Sequence, residues 1–343
     1  MSAMQPGSTE SRVVVDDEWR RWIAENLMLG THPASLVGAL EGNGVSRQVA
    51  VSEVEAAVRS PYLRGADRLR RRLEKRDWVL DIHRKLNRLR PGTVERRQRP
   101  SADEFLTDFY SANRPVIITG AMDGWPALQR WNLAYFRQRF GERTVEVQFG
   151  RSADADYELN SIAHKRAMRF GEYVDLVERA GKSNDFYMTA NNDSTNRQAL
   201  AELWDDIEQI PEYLDASNGG GGFFWFGPAG TITPFHHDLT NNFMAQVVGR
   251  KRLLLMPACE LANVYNHRHC FTPVDGGAVD LARFPNMARA QVMECVIGPG
   301  EILFLPVGCW HYVEALDTSV TMAFTNFRWD NDFYSNYPKE HDF

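Results

Sequence analysis

Thr231-Ile232-Thr233-Pro234-Phe235-His236-His237-Asp238 is the stretch on which the reading of this chain turns. On a strand, residues two apart point to the same face. His236 and Asp238 can therefore reach one ion from one side, while His237 between them faces the other way and is read as non-ligating. A third donor, His311, closes the run Leu305-Pro306-Val307-Gly308-Cys309-Trp310-His311, 73 residues beyond Asp238. Gly298-Pro299-Gly300-Glu301-Ile302-Leu303-Phe304-Leu305-Pro306 is a turn and strand that deliver it, and Gly249-Arg250-Lys251 follows the first run at hairpin distance. Bringing these segments together takes a folded-over antiparallel sheet. Two neutral imidazoles and one carboxylate suit Fe(II), with positions left open and with Mn, Co, Ni or Zn as substitutes. An HxD pair alone is weak, and His311 alone reads equally as a core histidine; the surrounding turns and strands give them weight together.

The segments around this run fit such a sheet. Pro115 to Gly120 is a β-branched run ended by glycine, and Thr144 to Phe149 is another strand. Phe223 to Phe226, Met244 to Val248, Arg252 to Met256, Gln291 to Ile297, Ile302 to Leu305 and Val320 to Phe327 follow, several separated by Gly or Pro turns, as in an antiparallel barrel or jelly roll. Upstream, Asp16 to about Arg90 reads as helices punctuated at Gly30–Pro33, Gly42–Gly44 and Pro61, and stopped by Pro91-Gly92. Phe105 to Tyr110 is a further short helix. The expected class is α+β, a double-stranded β-helix (jelly-roll, cupin-like) core with an N-terminal helical region. The expected division is 1–100 helical, 101–330 catalytic, and 331–343 a C-terminal tail.

Composition narrows the function classes. The 343 residues are 43% hydrophobic and 24% charged, as in an ordinary globular protein. No run is apolar enough for a membrane helix, and the polar start of the chain is not a secretory signal. Cys259, Cys270, Cys295 and Cys309 form no CxxC pair and read as free thiols of a reducing, cytoplasmic setting. A net charge of -6 argues against a general nucleic-acid binder, yet Arg64 to Arg99 holds 14 Lys/Arg against 5 Asp/Glu. This segment reads first as a solvated helix packing its leucines on the barrel or on a second subunit, in a homodimer. A nucleic-acid or protein partner is the rival reading. Asn266-His267-Arg268-His269-Cys270 reads as a polar loop before a second metal site. Gly219 to Gly222 lack a following Lys-Ser/Thr and read as a flexible connection, not a phosphate loop.

Thr231 to Lys251 and Gly298 to Asn326, with Arg114 to Gly120 and Gly124-Trp125-Pro126, resemble the JmjC, or cupin-like, Fe(II)/2-oxoglutarate-dependent oxygenases. The protein-hydroxylase branch is nearest, and the resemblance spans about Ala102 to Trp329. It implies that His236, Asp238 and His311 hold Fe(II), with 2-oxoglutarate as cosubstrate and dioxygen as oxidant. It implies Lys251 and Tyr187 at the distal carboxylate, with Thr233 carried over although plain strand alternation turns it away from His236. It further implies Asn242 and Asn326 near the keto-acid end and Trp225 as a pocket wall. Singly, Lys251 reads equally as a solvated hairpin lysine, Tyr187 and Trp225 equally as core aromatics and Thr233 equally as a turn residue, while the asparagines read first as turn residues. No protein acid or base is assigned.

The resemblance further implies hydroxylation of a protein or peptide side chain, with release of succinate and CO2. A basic peptide fits the acidic surface outside the arginine-rich segment. In the arginyl hydroxylases the strand matching Val145 to Phe149 carries an acidic substrate contact. Gln148 stands there in this chain, with Glu146 nearby. The alternatives are a small-molecule hydroxylase of the same chemistry, or a non-catalytic cupin-like protein that binds a partner through its basic helix.

Overall fold

A computed structural model describes residues 14–190, 195–217, 221–266 and 268–338. The chain divides into two compact units, Met1–Ile82 and His83–Phe343. In the first, helices α1 (Asp17–Met28), α2 (Pro33–Gly42) and α3 (Arg47–Arg59) enclose a small core of Val15, Ile23, Leu36, Leu40, Val45, Ala50 and Val54. Asp16 caps α1 by accepting from Trp19 N at 2.9 Å, satisfying one of the free donors of a helix start. Helix α4 (Pro61–Asn87) has no buried residue at all. Of its leucines, Leu69, Leu73 and Leu86 lie exposed.

The division between the two compact units falls within α4. Residues 83–100 join the second unit through specific bonds. Arg96 Nε donates to Glu301 at 2.8 Å and its Nη2 to Val296 O at 2.7 Å. Strand β1 (Glu95–Gln98) pairs parallel with β2 (Val116–Thr119). Strand β3 (Thr144–Phe149) lies between β4 (Lys165–Arg169) and β5 (Phe186–Tyr187) in a separate three-stranded sheet.

Eight further strands build the core: β6 (Phe223–Gly227), β7 (Ile232–His237), β8 (Asn242–Val248), β9 (Lys251–Met256), β10 (Met293–Ile297), β11 (Ile302–Leu305), β12 (Trp310–Ala315) and β13 (Ser319–Phe324). They divide between a sheet of order β1-β2-β11-β8-β13-β6 and a facing sheet of order β10-β9-β12-β7. The chain crosses between the sheets after each strand except from β9 to β10, and every pairing among the eight is antiparallel. This is the jelly roll expected from the sequence.

Period-two alternation decides what enters the space between the sheets. On β11, Leu303 and Leu305 join Leu253, Leu255, Ile297 and Val313 in the inner cluster, whereas Ile302 and Phe304 pack outward on Phe105, Phe109 and Phe243. On β12, Trp310 and Tyr312 pack outward with Phe235 and Met256, leaving His311 and Val313 inside. One end of the space is filled by apolar side chains; polar residues together with Trp225, Met244, Val313 and Ala323 line the remainder. Beyond β13, the Asn331 side chain bonds both backbone groups of Asn241, accepting from its N at 2.8 Å and donating to its O at 3.0 Å.

Candidate metal centre

Strands β7 and β12 pair antiparallel with His236 opposite His311, and the two imidazole centroids stand 4.1 Å apart. Asp238 follows the end of β7, where its carbonyl accepts from Gly308 N at 3.1 Å. Gly308 adopts φ 75°, which suits glycine. The turn thus ties Asp238 to the segment that delivers His311.

Both histidines are fixed in one tautomer. His236 Nδ1 donates to Pro234 O and His311 Nδ1 to Cys309 O, each at 2.9 Å. A carbonyl only accepts, so Nδ1 carries the proton and Nε2 keeps its lone pair. Burial, followed by the neighbouring His311, pushes the His236 pKa well below the usual imidazole range. Asp238 Oδ2 accepts from Asn242 Nδ2 at 3.1 Å, while its Oδ1 lies 3.7 Å from His236 Nε2. One donor atom from each of His236, Asp238 and His311 lies within 4.8 Å of the others, and together they can hold a divalent ion. His237 faces out, edge-on to Trp310 at 4.7 Å, with Nδ1 donating to Asp238 O. His267 of the second His-rich run lies outside the described residues, as do Gly219 and Gly220.

A cavity of about 70 Å³ opens beside the triad, lined by Tyr187, Trp225, Thr233, Asn242, Lys251 and Thr321 among others. Lys251 is 3% exposed, and its Nζ donates to Tyr187 Oη at 3.1 Å. No carboxylate lies within ion-pair distance of it among the described residues. Burial lowers its pKa to about 7. The same burial raises that of Tyr187, keeping the phenol protonated. A buried amine without a counter-charge and a buried Asn242 Oδ1 without a donor are both unfinished interactions. An acidic ligand reaching from the triad to Lys251 would complete the first, so the residues present fit the metal and the dicarboxylate cosubstrate.

Thr233 reaches this cavity because β7 is bulged. Val313 pairs with Thr233 and His311 with His236, so two steps on β12 match three on β7. The extra residue reverses the facing parity and puts Thr233 and His236 on one side. Pro234 lies within the bulge, where it has no N–H to give to the ladder.

Asn326 requires correction. It is not among the cavity-lining residues; its Nδ2 donates to Asp215 O at 2.9 Å, and it lines another cavity with Trp125, Arg197 and Trp204. Beyond Phe324 the chain leaves the sheet, and Asn326 O accepts from Asp215 N at 2.9 Å, which draws the residue away. Gln148 is 2% exposed and donates to Thr189 Oγ1 at 3.2 Å, while Glu146 is paired with Lys165 at 3.3 Å.

Three features escaped the sequence reading. Thr321 Oγ1, inside the cavity, donates to the buried Gln246 at 2.8 Å; alternation along β13 was the available signal. Arg151 is fully buried, with Nη2 donating to Glu158 at 2.7 Å and to Ile232 O at 2.8 Å. It also lies over the Tyr157 ring at 4.3 Å, and nothing in its local sequence marked it. Finally, a cleft of about 510 Å³ borders β7 at Ile232 and Pro234, lined by Asp156, Glu158 and Asp275 with Arg283 as its cation. Glu158 is close enough to the triad to act on the His236 titration.

Residues 101–335 match the family described as "Cupin-like domain". This chain belongs to that cupin-like family. It is 34% identical over 252 residues to a lysine-specific demethylase, JMJ30, of Arabidopsis thaliana, covering 71% of this chain and 56% of that protein. It is 33% identical over 234 residues to lysine-specific demethylase 8 of Xenopus tropicalis, covering 66% of this chain and 51% of that protein. It is 28% identical over 273 residues to the human bifunctional peptidase and (3S)-lysyl hydroxylase JMJD7, covering 69% and 84%. The chain thus spans little more than half the length of the first two. JmjC-type members of the cupin-like family use Fe(II), 2-oxoglutarate and dioxygen, and the His-Asp-His set is present here.

Proposed function

We propose that this chain is an Fe(II)- and 2-oxoglutarate-dependent hydroxylase acting on a cationic side chain of a protein or peptide. The observation that carries the reading is the meeting of the His236–Asp238–His311 set with a buried, unpaired Lys251 in one cavity. When bound, the metal, cosubstrate and dioxygen supply the oxidising chemistry, with release of succinate and CO2. In this reading His236 and His311 ligate through Nε2, because their Nδ1 protons are committed to carbonyls. Asn242 holds Asp238 by one oxygen and leaves the other for the ion. Lys251 and Tyr187 anchor the distal carboxylate of 2-oxoglutarate, Thr233 offers a hydroxyl, and Trp225 walls the cavity against water. No side chain is assigned as acid or base.

The substrate reading rests on the cleft beside β7. Arg151 already holds Glu158 at 2.7 Å and Arg268 stands 3.6 Å from Asp156, so Asp275, which has no ion pair among the described residues, is the carboxylate that would draw a positive side chain toward the triad. Hydroxylation is proposed over demethylation on the likeness to JMJD7, a lysyl hydroxylase matched over 84% of its length.

The test is mass spectrometry of lysine-, arginine- and methyl-lysine-containing peptides, with neutral controls, after incubation with Fe(II), ascorbate and 2-oxoglutarate. A gain of one oxygen on unmethylated basic peptides, coupled to succinate, is expected and should fall in Asp275→Asn. Formaldehyde with loss of a methyl group would replace hydroxylation by demethylation. Oxidation confined to neutral peptides would overturn the cationic-substrate reading.

A further inference from the structure

Helix α4 carries its charge in separate rows. Arg64, Arg68, Arg72 and Arg76 recur at four-residue intervals, with Lys75 beside them. At 3.6 residues per turn, four-residue steps advance slowly around the helix, so the four arginines make one gently winding row about 18 Å long. None of these five cations has a carboxylate within ion-pair distance among the described residues. The carboxylates of the N-terminal half face elsewhere: Asp67 holds Arg70 at 2.8 Å and Arg71 at 2.9 Å, and Glu74 also holds Arg70. Unlike that neutralised side, the row sets like charges four residues apart, where they repel.

Two occupants suit a basic helix: an acidic helix of another protein, or a phosphate backbone. The apolar positions separate them. Leu69 and Leu73 are 59% and 53% exposed. They sit about 140° around the helix from Arg64 and Arg68, respectively, though within about 60° of Arg76, so a partner helix seated on the leucines would engage the end of the row and leave its start free. A polyanion needs no apolar seam. Planar guanidinium groups match phosphate oxygens in paired hydrogen bonds, and four of the five cations are arginine.

We propose that the Arg64–Arg76 row of α4 binds the phosphate backbone of a nucleic-acid duplex without reading its base sequence. The proposal is independent of the oxygenase reading, since no residue of the row lines the metal cavity. Neutralising up to five phosphates releases their counterions, which gives log K against log salt a slope of about −4.5 on duplex DNA. Affinity would then fall by roughly 500-fold between about 50 and 200 mM salt.

The experiment is fluorescence anisotropy of the full chain with a short labelled DNA duplex, and in a second arm an RNA duplex, across a salt series. Replacing Arg64, Arg68, Arg72 and Arg76 together by Gln should reduce the slope to about −1. Arg70→Gln, on the paired side, should change it far less per charge removed. Circular dichroism checks that α4 persists; if the glutamine variant loses helix, lysine at the same four positions must keep the parent slope. No duplex binding at low salt, or equal loss per charge in both glutamine variants, overturns the proposal. So does a polyglutamate chain that binds as tightly as the duplex and depends on the same row, which would assign the row to an acidic protein partner. A preference between the DNA and RNA arms identifies which backbone the row serves.

Discussion

Lys251→Met keeps an unbranched stem and removes one charge, and its consequences can be worked through with a sign. The Lys251 ammonium is buried, bonded to Tyr187 Oη at 3.1 Å, and lowered from 10.5 to about 7 by burial. Its folded pKa therefore lies below the unfolded one. Between those two values the unfolded chain binds the extra proton, so this group makes stability rise with pH; below pH 7 its penalty is fully present. At about 1.4 kcal/mol per unit, the ligand-free protein near neutrality carries a penalty on the order of 4 kcal/mol, as an upper limit. Methionine removes it, so the ligand-free variant should melt at a higher temperature than the parent.

Cosubstrate binding should move the other way. A carboxylate seated against Nζ restores the charged amine, so 2-oxoglutarate binding takes up a proton above pH 7. Affinity in the parent should fall by about 16-fold from pH 7 to 8.5, provided the bound amine stays protonated throughout. In Lys251→Met the uptake disappears, the profile flattens, and binding weakens by roughly a hundredfold at neutrality, the loss of one buried charge-assisted bond. Calorimetry on metal-loaded protein under nitrogen, in buffers of different ionisation enthalpy, reads both quantities. A pH-independent affinity in the parent, proton uptake that survives in the variant, or a variant that melts no higher would each refute the reasoning.

Three further outcomes follow from particular contacts. His236→Ala or His311→Ala removes one of three donors and should abolish succinate formation; unchanged turnover in metal-depleted and reconstituted protein would dismiss the site. Gly227→Ala places a methyl 2.7 Å from the Tyr187 ring and 2.9 Å from Thr231 Cγ2, so Tyr187 must shift from Lys251. It should cost about 1–3 kcal/mol in chemical denaturation and weaken 2-oxoglutarate several-fold; an unchanged affinity would free Tyr187 from its role. Asp206→Ala deprives Arg130, Trp131 Nε1 and Tyr135 of an acceptor at 2.6, 3.0 and 3.0 Å. It should cost about 3 kcal/mol while leaving cosubstrate affinity intact, and equal damage to both would place Asp206 in the site's support.

The core strands were legible where burial imposed a pattern. Leu303 and Leu305 face in while Ile302 and Phe304 face out, and such doubly covered strands read as continuous apolar runs. Strands β1 and β4, Glu-Arg-Arg-Gln and Lys-Arg-Ala-Met-Arg, escaped notice because they are sheet edges with largely exposed side chains. Their place is set by pairing with a neighbour, Val116–Thr119 for one and Thr144–Gln148 for the other, which a local pattern does not carry. Arg151 is the extreme case: its environment is made by Glu158, Tyr157 and the Ile232 carbonyl, which are brought to it by the fold.

The site was legible in its chemistry before its geometry, and Thr233 shows why. Strand alternation and resemblance gave opposite answers for this residue, since an odd separation from His236 sends the two side chains to opposite faces of a regular strand. A bulge is the smallest change that reconciles them, and Pro234 is where one is least costly, because proline has no ladder donor to lose. Asn326 had no such device: its backbone is held by residues 213–215, so the side chain follows that pairing away from the triad. A side chain inferred by likeness reaches a site only if the backbone register beneath it also does. Proline in the bulge makes that condition visible for Thr233, whereas the pairing that decides Asn326 lies more than a hundred residues away in the chain.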